Sequence, residues 1–163
     1  MLRQLLIVLL LSGCAAPYDY AEHTDFGRFT TVALAPGADR QSLDGARITA
    51  AALAQLPGRG LNPAPPAGAE LWLDYRLEEE TRLLTTMPRM LERHNGFWDD
   101  EERVYGMVRE QKLRLWLALP DGTVVWQSRH PRAFPAERIK GAERSRRIEQ
   151  QVAELLANYP PRP

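Results

Sequence analysis

Two apolar alternations and one helical stripe predict an α+β fold: a mostly antiparallel sheet of about four strands with two helices on one face, in the order β-α-β-β-β-α. Leu71, Leu73, Tyr75 and Leu77 alternate with Trp72, Asp74, Arg76 and Glu78, the period of two that marks a half-buried strand. Leu113, Leu115, Leu117 and Leu119 alternate in the same way with Lys112, Arg114, Trp116 and Ala118. Ile148, Val152, Leu155, Leu156 and Tyr159 recur at i, i+4, i+7, i+8 and i+11, a stripe that would cover a sheet face.

The chain opens on a leader. Arg3 supplies a positive start, Leu5 to Leu11 an apolar run and Ser12-Gly13 the small residues of a cleavage site, the three parts of a secretory signal. The run is too short to span a bilayer, which takes about 20 apolar residues. Leu11-Ser12-Gly13-Cys14 resembles the lipobox of bacterial lipoproteins, in which the cysteine receives a diacylglycerol and becomes the acylated first residue. Cys14 is the only cysteine of the chain, so it has no disulfide partner. Two or more acyl chains hold a protein on a bilayer stably where one does not. Ala15 and Ala16 follow instead of an aspartate, which by resemblance to Gram-negative lipoproteins implies the periplasmic face of the outer membrane. The expected division is a signal peptide over 1–13, the lipidated cysteine with a short tether or first strand over 14–28, and a single domain over 29–163.

Tyr18 and Tyr20, each beside polar residues, suit either a tether or a short strand. Phe29 to Ala35 is β-branched and closed by Pro36-Gly37, a strand with its stop. Ser42 offers an N-cap to a helix running to about Leu56, with Ile48, Ala52, Leu53 and Leu56 on one side. Gly58 and Gly60 end it, and Pro63, Pro65 and Pro66 forbid its return. After the second alternation, Pro120-Asp121-Gly122 is turn chemistry, so residues 123–129 should fold back as an antiparallel partner. The last helix spans about Ala142 to Tyr159 and stops at Pro160-Pro161. Between the alternations, residues 85–103 form a long polar segment with Pro88 and Asn95-Gly96, predicted to be a loop.

Several of these stretches together resemble the DUF4136 family of bacterial lipoproteins. They are Asp25-Phe26, Phe29-Thr30-Thr31, Gly60-Leu61, Ala69-Glu70-Leu71-Trp72-Leu73-Asp74-Tyr75, Leu113 to Leu119, Asp121-Gly122-Thr123-Val124-Val125-Trp126, and Leu155 to Pro161. The resemblance covers nearly all of the chain after the leader. It departs from the family at Gln111, where a glycine is usual, and in the middle loop. What it implies is an α+β lipoprotein domain; it transfers no catalytic residue.

Charge narrows the function. Arg3 is the leader's one charged residue, so the mature chain would hold 20 Lys+Arg against 21 Asp+Glu, without the basic stripe that nucleic acid requires. Glu78-Glu79-Glu80, Asp99-Asp100-Glu101-Glu102 and the basic stretch from Arg138 to Arg147 read as solvated surface; the sharper alternative for the last is a patch facing anionic lipid. His23, His94 and His130 are far apart, and His94 with Glu92, Asp99 and Asp100 is better explained as loop than as metal site. With no nucleophile elbow, phosphate loop or dinucleotide fingerprint, no catalytic residue, cofactor or metal is predicted, and the function is expected to be non-enzymatic.

Alternation puts Trp72, Arg76, Arg114 and Trp116 opposite the leucine rows. They form either cross-strand packing or a docking surface, since Trp and Arg are enriched at interface hot spots. The expected partners are a membrane through Cys14 and an unidentified envelope protein. Two alternatives remain: a carrier with an apolar pocket lined by Leu73, Leu115 and Ile148, and an envelope hydrolase with its cleft around 85–103.

Overall fold

The computed structural model describes residues 17–85, 104–135 and 139–161. Cys14 and the leader, and the 86–103 segment with His94, lie outside them. Nine regular elements follow in order: β1 (Tyr18–Tyr20), β2 (Thr31–Leu34), α1 (Leu43–Gln55), β3 (Asn62–Pro63), β4 (Leu71–Thr85), β5 (Val104–Ala118), β6 (Val124–Arg129), β7 (Phe134–Pro135) and α2 (Gly141–Leu156). One sheet takes all the strands in the order β1-β6-β5-β4-β2-β3, with β7 beside β5.

The α+β class and the two helices agree with the sequence pattern, whereas the sheet of about four strands does not. The sheet has seven strands and is mixed: β2 runs parallel to both β3 and β4, and the remaining pairs are antiparallel. The parallel β2–β4 pair follows from α1, because a chain that crosses over a sheet through a helix returns in its original direction. The extra strands β1, β3 and β7 are two or three residues long, too short for a period of two to show. Of the two readings of Tyr18 to Tyr20, the strand is the one observed.

A second correction concerns the two central strands. Alternation predicts about eight residues for each, yet β4 and β5 have 15, paired from Trp72↔Ala118 to Thr85↔Val104. Past Leu77 the helix contact thins to Gln111, which Arg144 of α2 reaches, and the ribbon residues whose burial is described are half-buried or exposed. With no core face there is no alternation to read, and the expected loop loses its first residue to β4.

The core lies between the sheet and both helices. Leu73↔Leu117, Tyr75↔Leu115 and Leu77↔Leu113 stand opposite each other, so the leucine rows share one face. Leu71, Leu73, Leu113, Leu115 and Leu117 pack there with Ile48 and Leu56 from α1 and its end, and with Ile148, Val152, Leu155 and Leu156 of α2. Burying each such side chain contributes about 2 kcal/mol. Ser42 caps α1 as expected, accepting from the Gly45 N–H at 2.9 Å. The β5–β6 turn is also as expected: Gly122 has φ 90°, its N–H donates to Leu119 at 2.8 Å, and Asp121 accepts from the Thr123 N–H at 2.8 Å.

Candidate interaction face

Register fixes what the sheet turns away from the helices. Trp72 stands opposite Ala118, Asp74 opposite Trp116 and Arg76 opposite Arg114; on the far side, Trp116 faces Gln127 and Arg114 faces Arg129. All alternate with the core leucines, so all share the outer face. Trp72 and Trp116 are diagonal neighbours on it and both are half-buried. Trp72 sits between two small neighbours, Ala33 and Ala118. The Arg114 guanidinium lies 5.6 Å from the Trp116 ring centroid, within cation–π range.

The structure thus gathers Trp72, Arg76, Arg114 and Trp116 onto one surface, but the two arginines differ. Arg114 donates to the Gln127 side chain and lies 3.7 Å from Glu78. Arg76 is exposed and has no ion pair or side-chain hydrogen bond among the described residues. Arg76, Arg114 and Arg129 stand abreast on three adjacent strands, an arrangement that repels unless acids intervene. Glu78 and Glu80 supply them: Arg129 pairs with Glu78 and Glu80 at 2.7 Å each, and Lys112 pairs with Glu80 at 2.7 Å. The Lys112 hydrogen bond holds the Glu80 carboxyl below its ordinary range. Glu78 and Glu80 therefore belong to a cross-strand ladder in which, among the described residues, Arg76 is left without an ion pair. Next to the ladder is an open cleft of about 470 Å³, walled by Tyr18, Asp19, Glu78, Arg114, Gln127 and Arg129.

Two polar sites escaped the sequence pattern. Arg144, within the basic stretch expected to be solvated, is 7% exposed. Its guanidinium grips Asp44 through Nε at 2.7 Å and Nη2 at 2.5 Å, and reaches Gln111 at 2.6 Å. The Arg144 hydrogen bond lowers the Asp44 pKa. A signal existed, because Arg144 lies four residues before Ile148 and in phase with the buried stripe. His130 is 2% exposed, with Nε2 2.8 Å from Glu154 and Nδ1 2.8 Å from the Arg132 carbonyl oxygen. That bond to His130 holds the Glu154 carboxyl below its ordinary range, and together with Arg132 it ties the end of β6 to α2. Glu70 does similar work at the β2 edge, accepting from the N–H groups of Thr30 at 2.7 Å and Thr31 at 3.0 Å.

The remaining predicted positions are scattered. His23 is exposed; Cys14, Glu92, His94, Asp99 and Asp100 lie outside the described residues. Among the described residues no three His, Cys, Asp or Glu side chains gather as a metal site would need. Leu73, Leu115 and Ile148, the residues expected to line an apolar pocket in a carrier, are each 0% exposed and pack together in the core.

Residues 16–161 match the sequence profile of DUF4136, a domain of unknown function. The chain belongs to the DUF4136 family. Among solved structures, this DUF4136 protein is similar to a PDZ domain protein from Parabacteroides distasonis, with 14% identity and a TM-score of 0.58 over 91% of this chain. It spans only 36% of that protein's length. It also aligns with the PelC dodecamer from Paraburkholderia phytofirmans, with 18% identity and a TM-score of 0.48, over 87% of this chain and 96% of that one. At these identities the likeness to the Parabacteroides protein speaks to fold alone. No curated protein matches the DUF4136 chain. Among its described residues, no helix is long and apolar enough to cross a membrane.

Proposed function

We propose that this DUF4136 protein is a lipoprotein, anchored through acylated Cys14 to the periplasmic face of the outer membrane, where it serves as a protein-interaction module through the outer face of its sheet. The observation that carries the module is the surface itself. Both helices pack on the other side, and Trp72, Trp116 and the exposed Arg76 share a face with a charge ladder and an open cleft. Aromatic side chains beside an exposed guanidinium are the composition of interface hot spots. The anchor is supported by Leu11-Ser12-Gly13-Cys14 and its preceding apolar run.

The two parts are tested separately. Cys14→Ser should move the protein to the soluble periplasmic fraction and abolish incorporation of labelled fatty acid; a variant still acylated and membrane-bound would refute the anchor. For the face, Trp72→Ala with Trp116→Ala should reduce recovery of crosslinked envelope partners at least tenfold while thermal unfolding stays cooperative. Undiminished recovery from the folded double variant would rule the face out.

A further inference from the structure

We propose that the distal part of the β4–β5 ribbon rests on the bilayer in which the Cys14 lipid is embedded, with Leu83 and Met107 as its contact pair. The inference rests on acylation of Cys14 and adds to it an orientation of the domain. Its first ground is strand direction. β1 is antiparallel to β6 and β6 to β5, so β1 runs parallel to β5, which starts at the ribbon's far end. The chain before β1 therefore leaves the sheet towards that far end. Pro17 already stands level with Arg114, since its carbonyl accepts from the Arg129 N–H at 3.1 Å and Arg129 faces Arg114.

Length is the second ground. From Arg114 to Val104 is ten strand residues, about 34 Å at strand rise. From Pro17 to Cys14 is three residues, at most about 11 Å fully extended. Along the strand axis the ribbon thus outreaches any position open to Cys14 by about 20 Å. A domain standing upright on its anchor would push the ribbon that far into the membrane. Among the described residues β2 covers β4 only as far as Leu73 and β7 covers β5 only at Glu110 and Gln111, so within them both edges carry backbone that lipid cannot satisfy, which argues against a ribbon that spans hydrocarbon. The domain must tilt until the ribbon lies along the interface.

Composition is the third. Leu83 and Met107 face each other directly across the ribbon, 52% and 71% exposed, with Val104 at 55% close by. Residues 81–85 and 104–109 carry Arg82 and Arg109 as their only charges; within the two strands the nearest acid is Glu110, 3.4 Å from Arg82, and the acidic run Asp99 to Glu102 lies outside the described residues. Apolar side chains flanked by arginine suit an anionic phospholipid interface, where each cation gains from the surface potential.

The test uses the full acylated chain in vesicles of phosphatidylethanolamine and phosphatidylglycerol. Acylation consumes the one native thiol, so Met107→Cys can carry an environment-sensitive fluorophore, with Asp121→Cys at the opposite turn as the control. The probe at 107 should shift to the blue and be quenched by shallow spin-labelled lipid, while the probe at 121 stays in water. Mass analysis of Cys14 in the same sample separates the two claims: an unacylated cysteine overturns the anchor and this orientation with it. An acylated protein with position 107 as wet as 121 overturns the orientation alone. So does a blue-shifted probe at 107 in vesicle-free protein carrying Cys14→Ser, which would mean that another protein copy covers the tip.

Discussion

Tyr159 carries a phenol into the core with nothing described for its hydroxyl to bond. The residue is 2% exposed, its ring meets Trp126 edge-on at 5.7 Å and Phe26 at 5.9 Å, and its oxygen has no hydrogen-bond partner among the described residues. Burial pushes the pKa up to about 12. A folded-state pKa above the unfolded value of about 10 means a contribution that is complete below pH 10 and lost as pH rises through 12. Tyr159→Phe should therefore be stabilising at pH 7 by about 1 kcal/mol, the cost of a buried unpaired group, and should resist alkali better than the parent. Urea melts at pH 7 and pH 11 measure both; a destabilised phenylalanine variant would show that the hydroxyl is bonded after all. Asp44 and Glu154 act in the opposite sense, their carboxyls lowered by Arg144 and His130, so their support is present above the ordinary carboxylate range and lost as pH falls below it. The phase of Arg144 in the helix stripe was legible in the sequence. Its partner was not, because Asp44 lies 100 residues away and no local pattern joins them.

Among the elements, those with a core face were the readable ones. The leucines of β4 and β5 and the stripe of α2 each repeat because one side is buried, and Ser42 announces α1 because a helix start needs an acceptor. The ribbon beyond Leu77 has no such face, and β3 and β7 are two residues each, so propensity alone had to speak for them and did not. Trp72, Arg76, Arg114 and Trp116 were placed correctly on one surface by alternation, while the pairing that commits Arg114 and spares Arg76 depends on a three-strand register no single segment contains. Element packing also gives a sharp prediction at Gly45 in the first turn of α1. A Cβ there would run into the Asp39 carbonyl oxygen and come within 2.8 Å of the Tyr75 hydroxyl and 2.9 Å of Ser42 Oγ. Alanine is the better helix former by about 1 kcal/mol, yet overpacking costs about 1–3 kcal/mol. With backbone as the obstacle, the clash should win, and Gly45→Ala should lower the urea midpoint; an unchanged or raised midpoint would mean that the 39–42 turn yields easily.

At the scale of the molecule, stability should be graded along the central ribbon. The half of β4 and β5 that faces both helices is buried on alternate residues, whereas beyond it the two strands pair with each other and, among the described residues, meet other backbone only where β7 joins Glu110 and Gln111. Amide exchange should be slowest at 71–77 and 113–117 and faster by at least tenfold at 79–84 and 106–110, since opening the distal ribbon exposes little apolar surface; uniform protection along both strands would contradict that gradient. The edge strand β1 carries a further consequence. Its three residues are hydrogen-bonded side by side to β6, and Pro17 extends the contact through the Ser128 hydroxyl and the Arg129 amide. A pull on the chain ahead of Pro17, directed along the strand, loads these bonds together in shear instead of peeling them one at a time, so the fold resists tension applied at β1.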